Sequence, residues 1–211
     1  MAGEKETLEK IHRIAEQEFL EKGFKGASLR NIVKWVGVTT GAFYGYYKSK
    51  EELFDALVTP HAEYLKQHFV QEQQAFAQLS EAEQVNQVSH SGEKYMFDVL
   101  EYGFAHRNGM RLLLGAAAAG TRYEDFVHQL VELEIQGTHR FMDVLEHMGM
   151  SQTRLGEYFE HTVISGMYSA FFELFIHDVP YEEAKECADG LMKFYAAGWM
   201  ACMGLEQTRE K

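Results

Sequence analysis

The chain has 211 residues, 46% of them hydrophobic, and a formal net charge of −12. That length suits one large domain or a small domain joined to a medium one. No apolar run of about eighteen residues occurs, which argues against a membrane span, and the polar start MAGEKETLEK reads as neither a signal nor a basic transit peptide.

The two cysteines, Cys187 and Cys202, lack metal or redox spacing and read as small core residues of a cytoplasmic protein. The charge is uneven. Residues 1–58 carry nine cations and nine acids, so the whole deficit lies in 59–211. Within 25–50 stand Lys25, Arg30, Lys34, Lys48 and Lys50 with no acid at all. Because screening limits remote charge to about 10 Å, such a local face can meet a polyanion even on an acidic protein.

Only Pro60 and Pro180 interrupt a chain rich in helix formers, and the expectation is an all-α fold. A first helix spans about 6–22, with Leu8, Ile11, Ala15 and Phe19 on one stripe. Gly23 followed by Phe24 stops it. Ser28 caps a second helix, 29–36, and Gly37 permits a sharp turn. Thr39 caps a third, about 40–47, and Ser49 with Glu52 forms a capping box that opens a fourth. Pro60 is expected to bend or break that helix near Val58–Thr59. Longer helices follow at roughly 60–78, 82–105, 107–118, 121–148, 152–177 and 181–204. Breaks fall in the polar stretch Gln71–Ser80 and at Arg107–Gly109, Gly120–Thr121, Gly149–Ser151 and Asp178–Pro180.

Two short helices joined by a glycine turn form a helix-turn-helix pattern. Ile32, Val36, Val38, Phe43 and Tyr47 fill its inside, while Thr40, Gly41, Tyr44 and Gly45 share the outer face of the third helix. That face has no acid and little bulk, so it can approach a major groove closely. Tyr44 and Tyr46 can donate to phosphate, and Lys48 and Lys50 stand at a helix N-terminus that favours an anion. Arg30 can equally pair with Glu18 or Glu21.

The stretch FLEKGFKGASLRNIVKWVGVTTGAFYGYYKSKEELFDAL resembles the DNA-binding domain of the TetR family of bacterial repressors, over about Leu8–Leu57. The resemblance implies a three-helix DNA-binding domain over 1–58 and a helical body over 59–211 that dimerises and holds a small effector. It implies phosphate and base contacts at Ser28 and Arg30, and a reading helix bearing Thr39, Thr40, Gly41, Ala42, Tyr44, Gly45 and Tyr46. Lys50 resembles the family's phosphate-anchoring lysine. Thr40 and Gly45 depart from the family, which more often has Lys or Pro at the first and a larger residue such as His at the second. The expected function is a ligand-responsive repressor binding a palindromic operator as a homodimer.

In the body, 152–177 and 181–204 are apolar nearly all round, which a second copy packing as a four-helix bundle would cover. Tyr95, Met96, Tyr102, His106, Tyr123 and Phe126 are candidate pocket residues for a small apolar or aromatic effector, the pocket itself being what the resemblance implies. Glu9-x-x-His12 matches one element of a di-iron bundle, but Asp125-x-x-His128 is a poor partner for it. No H-E-x-x-H, G-x-S-x-G or phosphate loop occurs. No catalytic residue, metal site or cofactor is expected, and no membrane association.

Overall fold

The computed structural model describes residues 2–150, 152–177 and 179–205. Ser151 and Asp178, at two of the expected breaks, lie outside the described residues. Those described form helices and turns with no strand among them. They divide into two compact units, residues 1–64 with 106–126, and residues 65–105 with 127–211.

The first unit begins with α1 (Ala2–Gly26), α2 (Leu29–Val36) and α3 (Thr40–Tyr44). The stripe of α1 is buried at Ile11, Ala15 and Phe19. Gly23 has φ 68° and ψ 167°, which ends the regular helix where the sequence places a stop. Phe24 then packs back, its ring centroid 6.1 Å from that of Phe19 and 5.3 Å from that of Phe54. The third helix is shorter than expected. The N–H groups of Gly45 and Tyr46 bond to the carbonyls of Ala42 and Phe43, tightening the last turn and closing the helix at Tyr44.

Helix α4 (Lys50–Ala77) corrects one expectation. Pro60 lies inside it and does not end it. Proline removes one helical donor, but Leu53, Phe54, Leu57, Val58 and Ala62 are all buried around it, and that packing outweighs one bond. The polar run from Gln71 stays helical to Ala77 and the break falls at 78–80, within a residue of the helix end expected at about 78. The expected domain boundary after Val58 falls inside this helix.

Next come α5 (Glu81–Ala105), α6 (Arg107–Leu114), a 3-10 turn over Ala116–Ala118, α7 (Phe126–His147), α8 (Glu157–Ile176) and α9 (Tyr181–Met203). Gly115, extended at φ −92° and ψ −177°, divides the helix expected over 107–118. The helix expected from 121 starts at Phe126, after turns closed by the hydroxyl of Thr121 on the carbonyl of Ala118. In the first unit, a Cβ on Gly109 would fall 1.9 Å from His61 Nε2, so only glycine allows that approach.

In the second unit the core is the aromatic face of α8, with Tyr168, Phe171, Phe172 and Phe175 buried. A Cβ on Gly103 would fall 2.3 Å from the Phe175 ring, which fixes how closely α5 meets α8. Helix α9 buries only Ala184, Ala188 and Met203 and leaves Phe194 72% exposed. Cys187 and Cys202 are exposed too, contrary to the core placement expected from their type. They lie on the outer side of α9, where helical spacing aligns Cys187 with the exposed Gly190, Phe194, Ala197 and Ala201. No described helix is long and apolar enough to cross a membrane.

Candidate nucleic-acid interface and effector cavity

The helix-turn-helix is held by polar groups placed at each junction. Ser28 Oγ accepts from the Asn31 N–H at 3.4 Å, capping α2. Glu18 of α1 reaches across, accepting from the Ser28 N–H at 3.1 Å and from Asn31 Nδ2 at 3.3 Å. Gly37 adopts the left-handed conformation, φ 79°, and its N–H bonds to the Val33 carbonyl. Thr39 Oγ1 accepts from the Ala42 N–H at 3.1 Å and starts α3.

These constraints sort the side chains. Ile32, Val36 and Phe43 point inward and are buried, while Val38 and Tyr47 are half-buried. Tyr47 hydrogen-bonds His12, whose pKa burial lowers despite the opposing charge of Glu16. Thr39, Thr40, Gly41, Ala42, Tyr44 and Gly45 are all exposed, and Tyr46 is half-buried. A Cβ on Gly41 would meet nothing within 4 Å, so a partner's surface can come close there. Leu29, Arg30, Val33, Thr40, Phe43 and Tyr44 line a groove between α2 and α3.

The cations divide into engaged and open ones. Arg30 is exposed and, among the described residues, forms no ion pair, because Glu18 is occupied by Ser28 and Asn31. Lys48 is exposed as well. Lys50 is half-buried and donates from Nζ to the Ala27 carbonyl at 3.1 Å and the Lys25 carbonyl at 3.4 Å. Its ammonium sits 4.6 Å from the centre of the Phe24 ring. The start of α4 is already filled by the chain itself. Ser49 Oγ accepts from the Glu52 N–H, Glu52 accepts from the Lys48 N–H at 2.6 Å, and backbone N–H bonding and Ser49 hold the Glu51 carboxyl below its usual range. An anion on this face therefore meets Arg30, Lys48 and Tyr44 first.

The second unit contains a cavity of about 170 Å³. Phe69, Tyr95, Met96, Phe141, Tyr168 and Trp199 are among its walls. Of the candidate pocket residues, Tyr95 and Met96 line it; Tyr102, His106, Tyr123 and Phe126 do not. Tyr123 instead bonds through its hydroxyl to Thr59 at 2.6 Å and Arg122 at 2.7 Å within the first unit. Sequence reasoning missed Phe69, Phe141, Tyr168 and Trp199, whose apolar spacing resembles any core stripe. Two groupings bring metal-ligating side chains within 4.8 Å of one another: His128, Glu132 and His161, and His68, Glu72 and Asp98. In the second, Lys94 already bridges Glu72 and Asp98.

Residues 11–57, the span holding this capped, acid-free helix pair, match the sequence family described as bacterial regulatory proteins, tetR family. Over that span the chain is similar to tetR-family regulators. Over 53 residues, 25% of this chain and 25% of the relative, it is 40% identical to the HTH-type transcriptional repressor BepR of Brucella suis biovar 1 (strain 1330). The chain thus spans about a quarter of that relative's length. Its fold is similar to that of a tetR-family transcription regulator from Shewanella sp. PV-4, with a TM-score of 0.53 and 17% identity over 91% of this chain and 97% of that one. A gamma-butyrolactone receptor (ArpA-like protein) has a similar fold, with a TM-score of 0.50 and 17% identity over 92% of this chain and all of the other.

Proposed function

We propose that this chain is a tetR-family, ligand-responsive repressor that binds a palindromic operator as a homodimer in the cytoplasm. The observation that carries the reading is the outer face of α2 and α3: exposed, free of acids, closely approachable at Gly41, and flanked by the open Arg30 and Lys48. Thr39, Thr40 and Tyr44 reach base edges or phosphate, with Ala42, Gly45 and Tyr46 alongside, while Ser28 and Arg30 enter from α2. Lys50 acts by joining α4 to the turn before α2, as well as by its charge. Dimerisation uses 152–177 and 181–204, and the exposed Phe194 with its small-residue neighbours on α9 supports that choice.

The cavity in the second unit is the effector site. Helix α4 is shared by both units, so an effector that favours one setting of α4 biases the spacing of the two reading heads. Linkage requires operator DNA to weaken that effector by the factor by which the effector weakens DNA. The reading is tested by footprinting the effector-free protein on DNA upstream of its own gene. Two protected half-sites in successive major grooves, about 34–36 Å apart, are expected. A single unpaired half-site, or uniform coverage without sequence preference, contradicts it.

A further inference from the structure

The proposed effector cavity is walled by aromatic rings and thioethers, yet it also contains carboxylates. Glu72 and Glu134 are the charged side chains on its lining, and no Lys, Arg or His joins them. Glu72 is neutralised by Lys94, whose Nζ lies 2.5 Å from its Oε1. Glu134 has no such partner: among the described residues it forms no ion pair. The Tyr168 hydroxyl donates to it at 3.3 Å. The charge of Arg140 acts on it from a distance, but that guanidinium donates to Gln73 at 3.4 Å. Burial raises the pKa of Glu134, as expected of a carboxyl in an apolar wall without a counterion.

A carboxylate without a counterion in an apolar wall is costly, and a cation bound against it would offset that cost. The same cavity is lined by Tyr95, Tyr168, Tyr195 and Trp199, aromatic rings of the kind whose faces attract cations, and by Met192 and Met200, whose flexible thioethers adapt to shape. We infer that the cavity takes a compact organic cation, an ammonium or similar centre on an aromatic or branched apolar body, with its charge against Glu134. An anion would face the uncompensated Glu134 with no cation in the lining. A volume below the roughly 300–1,000 Å³ of ordinary small-molecule sites keeps the ligand small. The inference rests on the reading of this cavity as the effector site.

Two probes of one shape separate charge from shape: benzyltrimethylammonium and its uncharged carbon isostere neopentylbenzene. Both are titrated into the full chain carrying Trp35→Phe, so that Trp199, on the cavity wall, is the remaining tryptophan and its fluorescence reports occupancy. The cation should bind at least about tenfold tighter, roughly what one cation–π or partly screened charge contact supplies. Glu134→Gln should remove that preference while leaving neopentylbenzene bound. Equal binding of the two probes, or a cation preference that survives Glu134→Gln, overturns the charge inference and leaves the cavity as a binding site. If neither probe alters Trp199, the effector-site reading falls and this inference with it. The comparison on unsubstituted Glu134 decides the matter even if Glu134→Gln does not fold.

Discussion

The outer face of α2 and α3 and the outer side of α9 are both exposed, but they are built in opposite ways. The first has a polar group fixed at each junction, from Glu18 on Ser28 to Thr39 on Ala42, and bears cations without acids. The second bears Cys187, Phe194, Ala197 and Ala201, with Phe194 alone among large residues and 72% exposed. One surface suits a polyanion, whose contacts are set by charge and position. The other, the proposed dimer face, carries small residues that would allow close packing. Exposure by itself therefore predicts no partner; the chemistry and rigidity of the exposed face do.

This contrast can be broken most forcefully through the core beneath the first face. Phe54→Ala removes the ring that meets Phe19 edge-on at 5.0 Å and should cost about 3–5 kcal/mol of stability in chemical denaturation. Phe194→Ala should cost the isolated fold less than about 1 kcal/mol, yet shift the monomer–dimer balance in sedimentation. If Phe194→Ala leaves self-association unchanged, the outer side of α9 is not the proposed interface.

Arg30→Ala should weaken operator binding by roughly 1–3 kcal/mol and relax preference at particular bases. Lys48→Ala should weaken all sequences alike and shallow the salt slope by about one contact. Both are read by fluorescence anisotropy on matched and altered operators. Neither should move the unfolding midpoint, since both side chains are exposed.

Lys50→Ala differs, because its ammonium ties two backbone carbonyls and covers Phe24. It should cost about 1–2 kcal/mol of stability in addition to DNA affinity. A variant of unchanged stability and reduced affinity would assign Lys50 to the DNA alone.

The smallest expected effect is on pH. Burial, aided by the neighbouring His106, pushes His61 from 6.5 down to about 4. Between those values the unfolded chain binds a proton that the folded chain does not. Stability is therefore full above about 6.5 and falls as pH drops towards 4. Its partial exposure screens the effect to about 1 kcal/mol. Denaturation curves at several pH values should show this loss, and His61→Gln should flatten it.

The head was more legible in the sequence than the body for a physical reason. Capping needs Ser28, Thr39 and Ser49 at fixed spacing, and the turn needs Gly37, so one-dimensional order carries the three-dimensional answer. The all-α fold and the second helix, 29–36, were readable in this way. Pro60 misled because local propensity argued for a break while packing along α4 did not. The cysteines misled because residue type ignores which side of α9 they occupy. In the body, apolar residues surround α8 and α9, so spacing did not say which of them wall a cavity. Glu134, which gives that cavity its charge, carries no sequence signature at all.

The central claim is that the acid-free face of α2 and α3 reads operator DNA through phosphate and base contacts. Its most direct test is the affinity of the effector-free protein for DNA upstream of its own gene, followed from about 50 to 200 mM salt by anisotropy. Tight binding that falls linearly in a log–log plot is expected, with a shallower slope for Lys48→Ala. Absent binding at the lowest salt, or an affinity indifferent to salt, would contradict it.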